Sequence, residues 1–257
     1  MVPPDIETQS LHAAKASNRG TAAADSPATL RIAETFTSRQ GEGQLTGVDS
    51  FFIRVSGCNL RCWFCDTSYA SWNPEGDHVH LDELTAMVDA SGVDHVVLTG
   101  GEPLLFAPVV ELCNRLRDRS FHVTIETAGT IDPGANCDLL SLSPKFASSA
   151  PDADKHPAWA RRHEHRRLPI DVMNGLIDRA AAVQVKFVVD SPADYDELIQ
   201  ITDQLHVIPA DVWIMPQGRS VEKLDEAASW LAPWCQNHGF QYCDRMQIRW
   251  YGDVRGT

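Results

Sequence analysis

Short apolar runs alternate with amphipathic segments from residue 30 to the end of the chain. Runs rich in β-branched and aromatic side chains are typical of buried strands, and apolar positions three and four apart are typical of helices. The predicted strands cover residues 30–36, 50–55, 95–99, 122–127, 138–142, 184–189, 212–216 and 246–251. Helices are predicted between them, around residues 81–88, 109–116, 169–182, 195–202 and 221–231.

This order of elements indicates the fold class. Strands that alternate with helices form βαβ crossovers, and such crossovers build a mainly parallel sheet. Polar turns follow several strands directly, as they do at the functional end of a full or partial barrel. We therefore predict an α/β fold, a partial (incomplete) TIM-like βα barrel of about six mainly parallel strands.

One domain is predicted over residues 29–257, after a disordered leader formed by residues 1–28. The leader is rich in Ala, Ser and Pro and has little periodicity,. Residues 147–182 interrupt the alternation and are interpreted as an insertion, which contains Pro151, Pro157 and a basic run at 161–167. That run is either a solvated charged face or, as the sharper hypothesis, a lid or a surface for a partner.

Composition excludes some classes of function. The chain has 257 residues and a net charge of −13, which argues against a protein that tracks nucleic-acid phosphates. No apolar run reaches the length of a membrane span, and the first residues lack the apolar core of a secretory signal,. We expect a cytoplasmic protein with reduced thiols and with neither nucleic acid nor membrane as a partner.

Three cysteines after the run at 50–55 carry the candidate chemistry. Cys58, Cys62 and Cys65 have the spacing C-x3-C-x2-C, one ligand short of a closed metal site or a fully ligated cubane. They therefore suggest an iron–sulfur cluster with one iron open to another ligand. The alternative is a helical face of buried cysteines, which Gly57 and Asn59 disfavour.

The other four cysteines are interpreted as small buried hydrophobic residues. They lack ligand spacing, and a Cys235–Cys243 bridge is disfavoured in a reducing compartment. The residues are Cys113, Cys137, Cys235 and Cys243.

These motifs resemble the radical S-adenosylmethionine superfamily. Phe64 provides the aromatic position before the third cysteine, and residues 100–103 (Gly-Gly-Glu-Pro) are similar to the motif of the second strand in that superfamily. From Phe36 onward the chain also resembles, more narrowly, the 7-carboxy-7-deazaguanine synthase family. The stretches that carry this resemblance are 38–43, 52–54, 57–67, 99–103, 143–145 and 185–188.

The resemblance implies a radical S-adenosylmethionine lyase that converts 6-carboxy-5,6,7,8-tetrahydropterin into 7-carboxy-7-deazaguanine with loss of ammonia, in the biosynthesis of queuosine and related 7-deazapurines. A 5′-deoxyadenosyl radical would abstract the hydrogen at C6 before ring contraction. The implied cofactors are a [4Fe-4S] cluster, S-adenosylmethionine and Mg²⁺. The implied partners are an electron donor such as flavodoxin or ferredoxin and a second copy of the chain.

The resemblance also assigns roles to individual residues. Cys58, Cys62 and Cys65 would ligate the cluster, and Thr67 would ligate magnesium. The residues expected at S-adenosylmethionine are Phe64, Cys65, Asp66, Gly101, Ser143, Pro144, Lys145, Met215, Pro216, Gln217 and Gly218. Those expected at the substrate are Arg39, Gln40, Gly41, Glu42, Arg54, Thr99 and Thr257.

Several of these residues have simpler interpretations. Lys145 is alternatively a snorkelling surface lysine, and Met215 a core residue. Arg54, on an apolar strand, needs an anion such as the pterin carboxylate or an internal carboxylate. Glu42 would accept hydrogen bonds from the guanidine-like edge of the pterin or belong to a surface turn, and Thr67 would otherwise cap the loop.

Two other functions remain open at this point. An activase that installs a glycyl radical shares the cysteine motif but does not need the loop at 40–42, Arg54 and Thr67 together. A non-catalytic iron–sulfur or zinc protein is the second alternative. A zinc site would require a fourth ligand, for which His78 and His80 are the nearest candidates.

Overall fold

A single mixed sheet runs through the described part of the chain, residues 28–257 of this computed structural model. Its strands are β1 (Thr29–Arg39), β2 (Asp49–Val55), β3 (Asp77–His80), β4 (His95–Gly100), β5 (His122–Thr127), β6 (Leu139–Leu142), β7 (Val183–Val189), β8 (Val212–Pro216) and β9 (Gln241–Tyr242). The helices are α1 (Ser68–Ser71), α2 (Leu81–Ala90), α3 (Pro108–Asp118), α4 (Pro157–Arg166), α5 (Ile170–Arg179), α6 (Tyr195–Thr202), α7 (Val221–His238) and α8 (Met246–Tyr251). The predicted leader falls on residues outside the described range, apart from residue 28.

The sheet has the order β3-β1-β2-β4-β5-β6-β7-β8-β9. β1 pairs antiparallel with β2 and β3, and every pair from β2 to β9 is parallel. Its two edge strands, β3 and β9, do not pair with each other, so the barrel stays open. The prediction of a partial, mainly parallel βα barrel is confirmed.

Buried apolar strands explain why helices cover the sheet. Within β4, Val96, Val97 and Leu98 are at most 1% exposed, as expected of a parallel strand with both faces covered. The amphipathic helices α2 and α3 add Leu84 and Leu112, both fully buried, to the same core. No helix within residues 28–257 is both long and apolar enough to cross a membrane.

The prediction of a final strand at 246–251 is wrong, because this segment forms helix α8. Only Ile248 of the helix is buried, whereas a central strand would bury most of its side chains. The sheet ends instead at the two-residue strand β9. A hydrogen bond of 2.9 Å from the Met246 N–H to the Gly41 carbonyl places α8 beside the loop after β1.

The basic run at 161–167 is only partly a solvated face. Arg161, Arg162 and Arg166 are exposed, but His163 is fully buried and Arg167 is 9% exposed. Arg167 forms ion pairs with Glu164 and Glu197. The run therefore also packs inward, and the assignment of 147–182 as an insertion stays a prediction.

The four scattered cysteines are confirmed as buried thiols. Each is free, and none is more than 6% exposed. No disulfide joins Cys235 to Cys243.

Candidate active site

A cavity of about 530 Å³ opens at the carboxyl ends of the parallel strands. Its wall contains most of the residues expected at the cofactors and the substrate. These are Arg39, Gln40, Gly41, Glu42, Arg54, Cys58, Cys62, Phe64, Cys65, Asp66, Thr67, Thr99, Gly101, Ser143, Lys145, Met215, Gln217 and Thr257. Pro144, Pro216 and Gly218 lie in the neighbouring backbone but do not line the cavity.

The three motif cysteines lie in an irregular loop between β2 and α1, so the alternative of a helical cysteine face is wrong. Burial raises the pKa of Cys58 to about 12, and the nearby thiols of Cys62 and Cys65 add to this effect. Within residues 28–257, no three His, Cys, Asp or Glu side chains are arranged to hold a single metal ion. All three cysteines lie in the wall of the same cavity.

Gly101 joins the end of β4 to the start of the cysteine loop. Its N–H donates to the Val55 carbonyl at 3.0 Å, and a Cβ on this residue would lie 2.0 Å from the Gly57 carbonyl oxygen. Glycine is therefore required because two backbones touch here, rather than to let a ligand approach. Of the two backbone groups of Gly101, the carbonyl is the one that can accept a hydrogen bond from the amino group of S-adenosylmethionine, the cofactor expected here.

Lys145 is half-buried in the cavity wall and its amino group is bonded to Ser143, so the snorkelling alternative is wrong. Its Nζ donates to the Ser143 carbonyl at 2.7 Å and to the Ser143 Oγ at 2.6 Å. Burial lowers the pKa of Lys145, and the neighbouring Cys62 opposes this effect. A lysine held so close to the thiols provides positive charge where a cluster of thiolates would need it.

Glu42 is the centre of a buried charge network. It forms an ion pair with Lys186 of β7, accepts from Arg245 Nε at 3.3 Å and accepts from Gln247 Nε2 at 2.6 Å. Burial alone would raise the pKa of Glu42, but the charges of Lys186 and Arg245 outweigh it and hold that pKa at about 2. The interpretation of Glu42 as a surface turn residue is therefore wrong.

Lys186 and Arg245 link this network to both sides of the cavity. Lys186 Nζ also lies 3.6 Å from Glu126 Oε1, and Glu126 Oε2 accepts from the Thr99 hydroxyl at 2.6 Å. Arg245 reaches in the other direction, to the Asp66 carboxylate. The network thus connects Glu42 and Thr99, both expected at the substrate, with Asp66 in the cysteine loop.

Arg54 has an internal partner. Its Nε donates to Glu34 Oε1 at 2.7 Å, and the Tyr69 hydroxyl donates to the same oxygen at 2.7 Å. Across residues 28–257, no hydrogen bond uses the two terminal nitrogens of Arg54. The guanidinium is therefore fixed by Glu34 and still presents donors to the cavity.

Thr67 stands at the N-terminus of α1, but its side chain makes no capping hydrogen bond. The hydroxyl lies 3.7 Å from the Cys65 sulfur. The expectation that Thr67 caps the loop is therefore wrong; its hydroxyl forms a hydrogen bond with the Cys65 sulfur, and the residue lines the cavity.

The C-terminal segment closes one side of the cavity through residues 252–257. Arg255 anchors it with ion pairs to Glu34 at 2.9 Å and to Glu75 at 3.1 Å. The Arg255 guanidinium also lies 3.8 Å from the Tyr69 ring centroid. These contacts hold the segment so that Thr257 lines the cavity.

Comparison with known proteins identifies the family. The radical SAM superfamily model matches residues 52–147. A 7-carboxy-7-deazaguanine synthase of Rhodopirellula baltica is 59% identical over 232 residues, 90% of this chain and 90% of the relative. The chain belongs to the 7-carboxy-7-deazaguanine synthase family. A second member, from Halobacterium salinarum, is 41% identical over 95% of this chain and 96% of its own length.

The solved structure of QueE from Escherichia coli has the same fold. Its TM-score is 0.63 at 22% identity, and the match covers 85% of this chain and 94% of that chain. The comparisons support the 7-carboxy-7-deazaguanine synthase family rather than a glycyl-radical activase or a non-catalytic metal protein. The protein is therefore a radical S-adenosylmethionine enzyme whose cofactors are a [4Fe-4S] cluster and S-adenosylmethionine.

Sequence reasoning missed several polar residues in this 7-carboxy-7-deazaguanine synthase site. Lys186 and Glu126 had a usable signal, since each is a charged residue within a predicted buried strand, as Arg54 is. No sequence signal marks Arg245 or Gln247, because the pattern of segment 246–251 predicts a strand. Only the observed helix α8 brings Gln247 to Glu42.

Proposed function

We propose that the protein converts 6-carboxy-5,6,7,8-tetrahydropterin into 7-carboxy-7-deazaguanine with loss of ammonia, as a step in queuosine and 7-deazapurine biosynthesis. One observation carries this proposal. The wall of a single cavity contains both the three-cysteine loop and the charged residues Arg54, Glu42 and Lys186. The identity of 59% to a named 7-carboxy-7-deazaguanine synthase supports it.

The cofactor side is assigned to the cysteine loop and the adjoining strand ends. Cys58, Cys62 and Cys65 would hold three irons and leave the fourth for S-adenosylmethionine. When bound, the reduced cluster and S-adenosylmethionine supply the radical that removes a hydrogen atom from the substrate. The Gly101 carbonyl is the acceptor for the amino group of the cofactor, and Lys145 offers positive charge nearby.

The substrate side is assigned to charged groups that are fixed before the substrate binds. Arg54 keeps its terminal nitrogens directed to the cavity, and a carboxylate would take two hydrogen bonds from such a fork. Glu42 stays ionised because its pKa is about 2, so it can accept hydrogen bonds from the guanidine-like edge of the pterin. A network fixed in advance lowers the cost of ordering these side chains on binding.

Magnesium is assigned to the Thr67 hydroxyl, which is free of capping bonds. One hydroxyl does not satisfy a hard cation, so substrate oxygens and water must complete the coordination shell. Thr67 would thus contribute one ligand to a metal that helps to orient the substrate.

The electron donor is proposed to be a flavodoxin or ferredoxin. Trp63, between two cluster cysteines, is 50% exposed, and the exposed residues Arg161, Arg162 and Arg166 lie on the neighbouring helix α4. These basic side chains suit an acidic partner, although the chain itself carries a net charge of −13,.

We further propose that the protein forms a homodimer in the cytoplasm. Light scattering on purified enzyme tests the dimer.

The deciding experiment is a product assay. Anaerobically reconstituted enzyme with reductant, S-adenosylmethionine and 6-carboxy-5,6,7,8-tetrahydropterin should yield 7-carboxy-7-deazaguanine, and magnesium should increase the yield. Absence of this product from iron-loaded enzyme that still cleaves S-adenosylmethionine would refute the substrate assignment. Stoichiometric zinc without iron would refute the cluster.

A further inference from the structure

Helix α4 and the turn before it are bound to the cysteine loop along its whole length. The Trp63 N–H donates to the Ser149 carbonyl at 3.1 Å, and the indole Nε1 donates to the Ser148 carbonyl at 2.9 Å. At the other end of the loop, Arg166 Nη1 donates to the Asn59 carbonyl at 3.2 Å. The region between β6 and β7 therefore braces the loop in addition to covering it.

His163 lies at the centre of this contact and is fully buried. Its Nδ1 accepts from the Arg61 backbone N–H at 3.2 Å, and its Nε2 lies 2.9 Å from the Ser149 Oγ. Since a backbone N–H can only donate, Nδ1 carries no proton and Nε2–H must donate to the serine. Burial, with smaller effects of Arg167 and Lys145, lowers the pKa of His163 to about 4, so the neutral ring is the stable form.

Ser149 extends the chain of hydrogen bonds to the neighbour of a cluster ligand. Its hydroxyl is 1% exposed and donates to the Phe146 carbonyl at 2.7 Å. The Ser149 carbonyl in turn accepts from the backbone N–H of Trp63, the residue directly after Cys62, at 3.1 Å. His163 thus contacts the loop twice, directly at Arg61 and through Ser149 at Trp63, the two neighbours of Cys62 in the sequence.

The Arg61 side chain shows that the same region also packs against the loop. Its Nη1 donates to the Cys58 carbonyl at 2.8 Å and to the Leu60 carbonyl at 2.6 Å. Its guanidinium lies 3.9 Å from the ring centroid of Trp159 on α4, close enough for a cation–π contact. The backbone between the first two cysteines is therefore shaped by α4.

We propose that His163 is a positioning residue for the iron–sulfur cluster: it accepts from the Arg61 amide and holds Ser149, whose carbonyl accepts from the Trp63 amide, so that the backbone on both sides of Cys62 is fixed. Hydrogen bonds to cluster sulfurs help to set the reduction potential, and residues that hold the ligands are a recognised second lever. The 147–182 region then acts on the reduction step rather than on the pterin. The proposal rests on Cys62 being a cluster ligand.

The test compares four variants of the reconstituted holoenzyme. These are Ser149→Ala, His163→Ala, His163→Gln and, as a matched control, His165→Ala, which removes an exposed imidazole from the same helix. The readouts are the midpoint potential of the cluster, the electron paramagnetic resonance spectrum of its reduced form and the rate of iron loss to a chelator. None of them requires the pterin.

Ser149→Ala should bind full iron but shift the midpoint potential, because His163 no longer holds the turn that fixes the Trp63 amide beside Cys62. His163→Ala should show the same direction of shift and lose iron several-fold faster, because the Arg61 amide is also released. His163→Gln keeps a hydrogen-bond acceptor and a donor. Its midpoint potential and iron-loss rate should therefore lie between those of His163→Ala and the unmodified protein. His165→Ala should match the unmodified protein.

Two outcomes would overturn the proposal separately from the cluster assignment. If His163→Ala has the potential, spectrum and iron-loss rate of His165→Ala, His163 does not position the loop. If His163→Ala fails to fold, an unchanged potential in Ser149→Ala is equally decisive against it. A Cys62→Ala protein that retains its full cluster would instead show that the ligand assignment itself is wrong.

Discussion

Glu42 and Lys186 form a buried ion pair between the loop after β1 and strand β7, 144 positions apart in the sequence. Both members of the pair have further partners: Arg245 and Gln247 contact Glu42, and Glu126 contacts Lys186. Burial destabilises the charged form of each residue, and the opposite charge of the partner stabilises it. The pKa of Glu42 therefore falls, and that of Lys186 rises, from their ordinary values.

Removing Glu42 should cost both stability and activity. Glu42→Ala leaves two buried cations short of a partner, which typically costs about 3 kcal/mol in the free energy of unfolding. The control Glu83→Ala removes an exposed glutamate from α2 and should change stability by less than about 0.5 kcal/mol. Urea denaturation of both proteins provides the comparison, and equal stability of the two would contradict the network.

A double variant separates the two roles of this pair. Glu42→Gln with Lys186→Met removes both charges together, so most of the lost stability should return. Pterin turnover should stay low, because the groups proposed to face the substrate are gone. Recovery of turnover along with stability would mean that the network is only structural.

The same carboxylate predicts a dependence of stability on pH. An unfolded glutamate has a pKa of about 4.3, and Glu42 in the folded protein has one of about 2. The stabilisation is thus fully present above about pH 4.3 and is lost as the pH falls towards 2, a difference of roughly 3 kcal/mol. Denaturation of the apoprotein should show Glu42→Gln approaching the unmodified protein in stability as the pH is lowered through this window.

Arg54 should matter for the substrate and not for S-adenosylmethionine. Losing one charged donor pair typically costs about 2 kcal/mol, on the order of thirtyfold in kcat/KM for the pterin. Cleavage of S-adenosylmethionine without pterin should be spared in Arg54→Ala. The control is Arg119→Ala, which removes an exposed arginine. Unchanged pterin kinetics in Arg54→Ala would show that the carboxylate of the pterin binds elsewhere.

These residues show what a sequence can and cannot reveal about this fold. The parallel core was predictable because runs such as 95–99 are apolar on both faces, and the cysteine loop because its spacing is specific. Segment 246–251 was not, since its aromatic and β-branched content favours a strand, whereas contact with Gly41 stabilises a helix. A Cβ at Gly41 would lie 2.6 Å from the Gln247 nitrogen, a close approach that only three-dimensional packing reveals.

The side chains that contact the predicted residues also could not be predicted from the sequence. An arginine on an apolar strand signals that an anion is near, but Glu34 and the pterin carboxylate are indistinguishable at that level. The structure assigns Glu34 to Arg54 Nε. Likewise, the basic run at 161–167 gives no sign that His163 points inward while His165 remains exposed.

The motif cysteines should be separable from the structural ones. Cys58→Ala, Cys62→Ala or Cys65→Ala should abolish S-adenosylmethionine cleavage and reduce the iron bound per chain. Cys113→Ala alters a thiol buried in α3 and should keep both, at a small cost in stability. Iron and sulfide analysis after anaerobic reconstitution measures this directly, and equal losses from Cys113→Ala would mean that the ligands are misassigned.

Thr67 tests the magnesium assignment through its hydroxyl alone. Because the side chain makes no capping bond, Thr67→Val should leave the free energy of unfolding within about 0.5 kcal/mol of the unmodified protein. The increase in pterin turnover on adding Mg²⁺ should disappear in Thr67→Val and persist in Thr67→Ser, which retains the oxygen. A titration of Mg²⁺ against turnover in the three proteins measures the effect. An unchanged magnesium response in Thr67→Val would show that the cation is held by other groups.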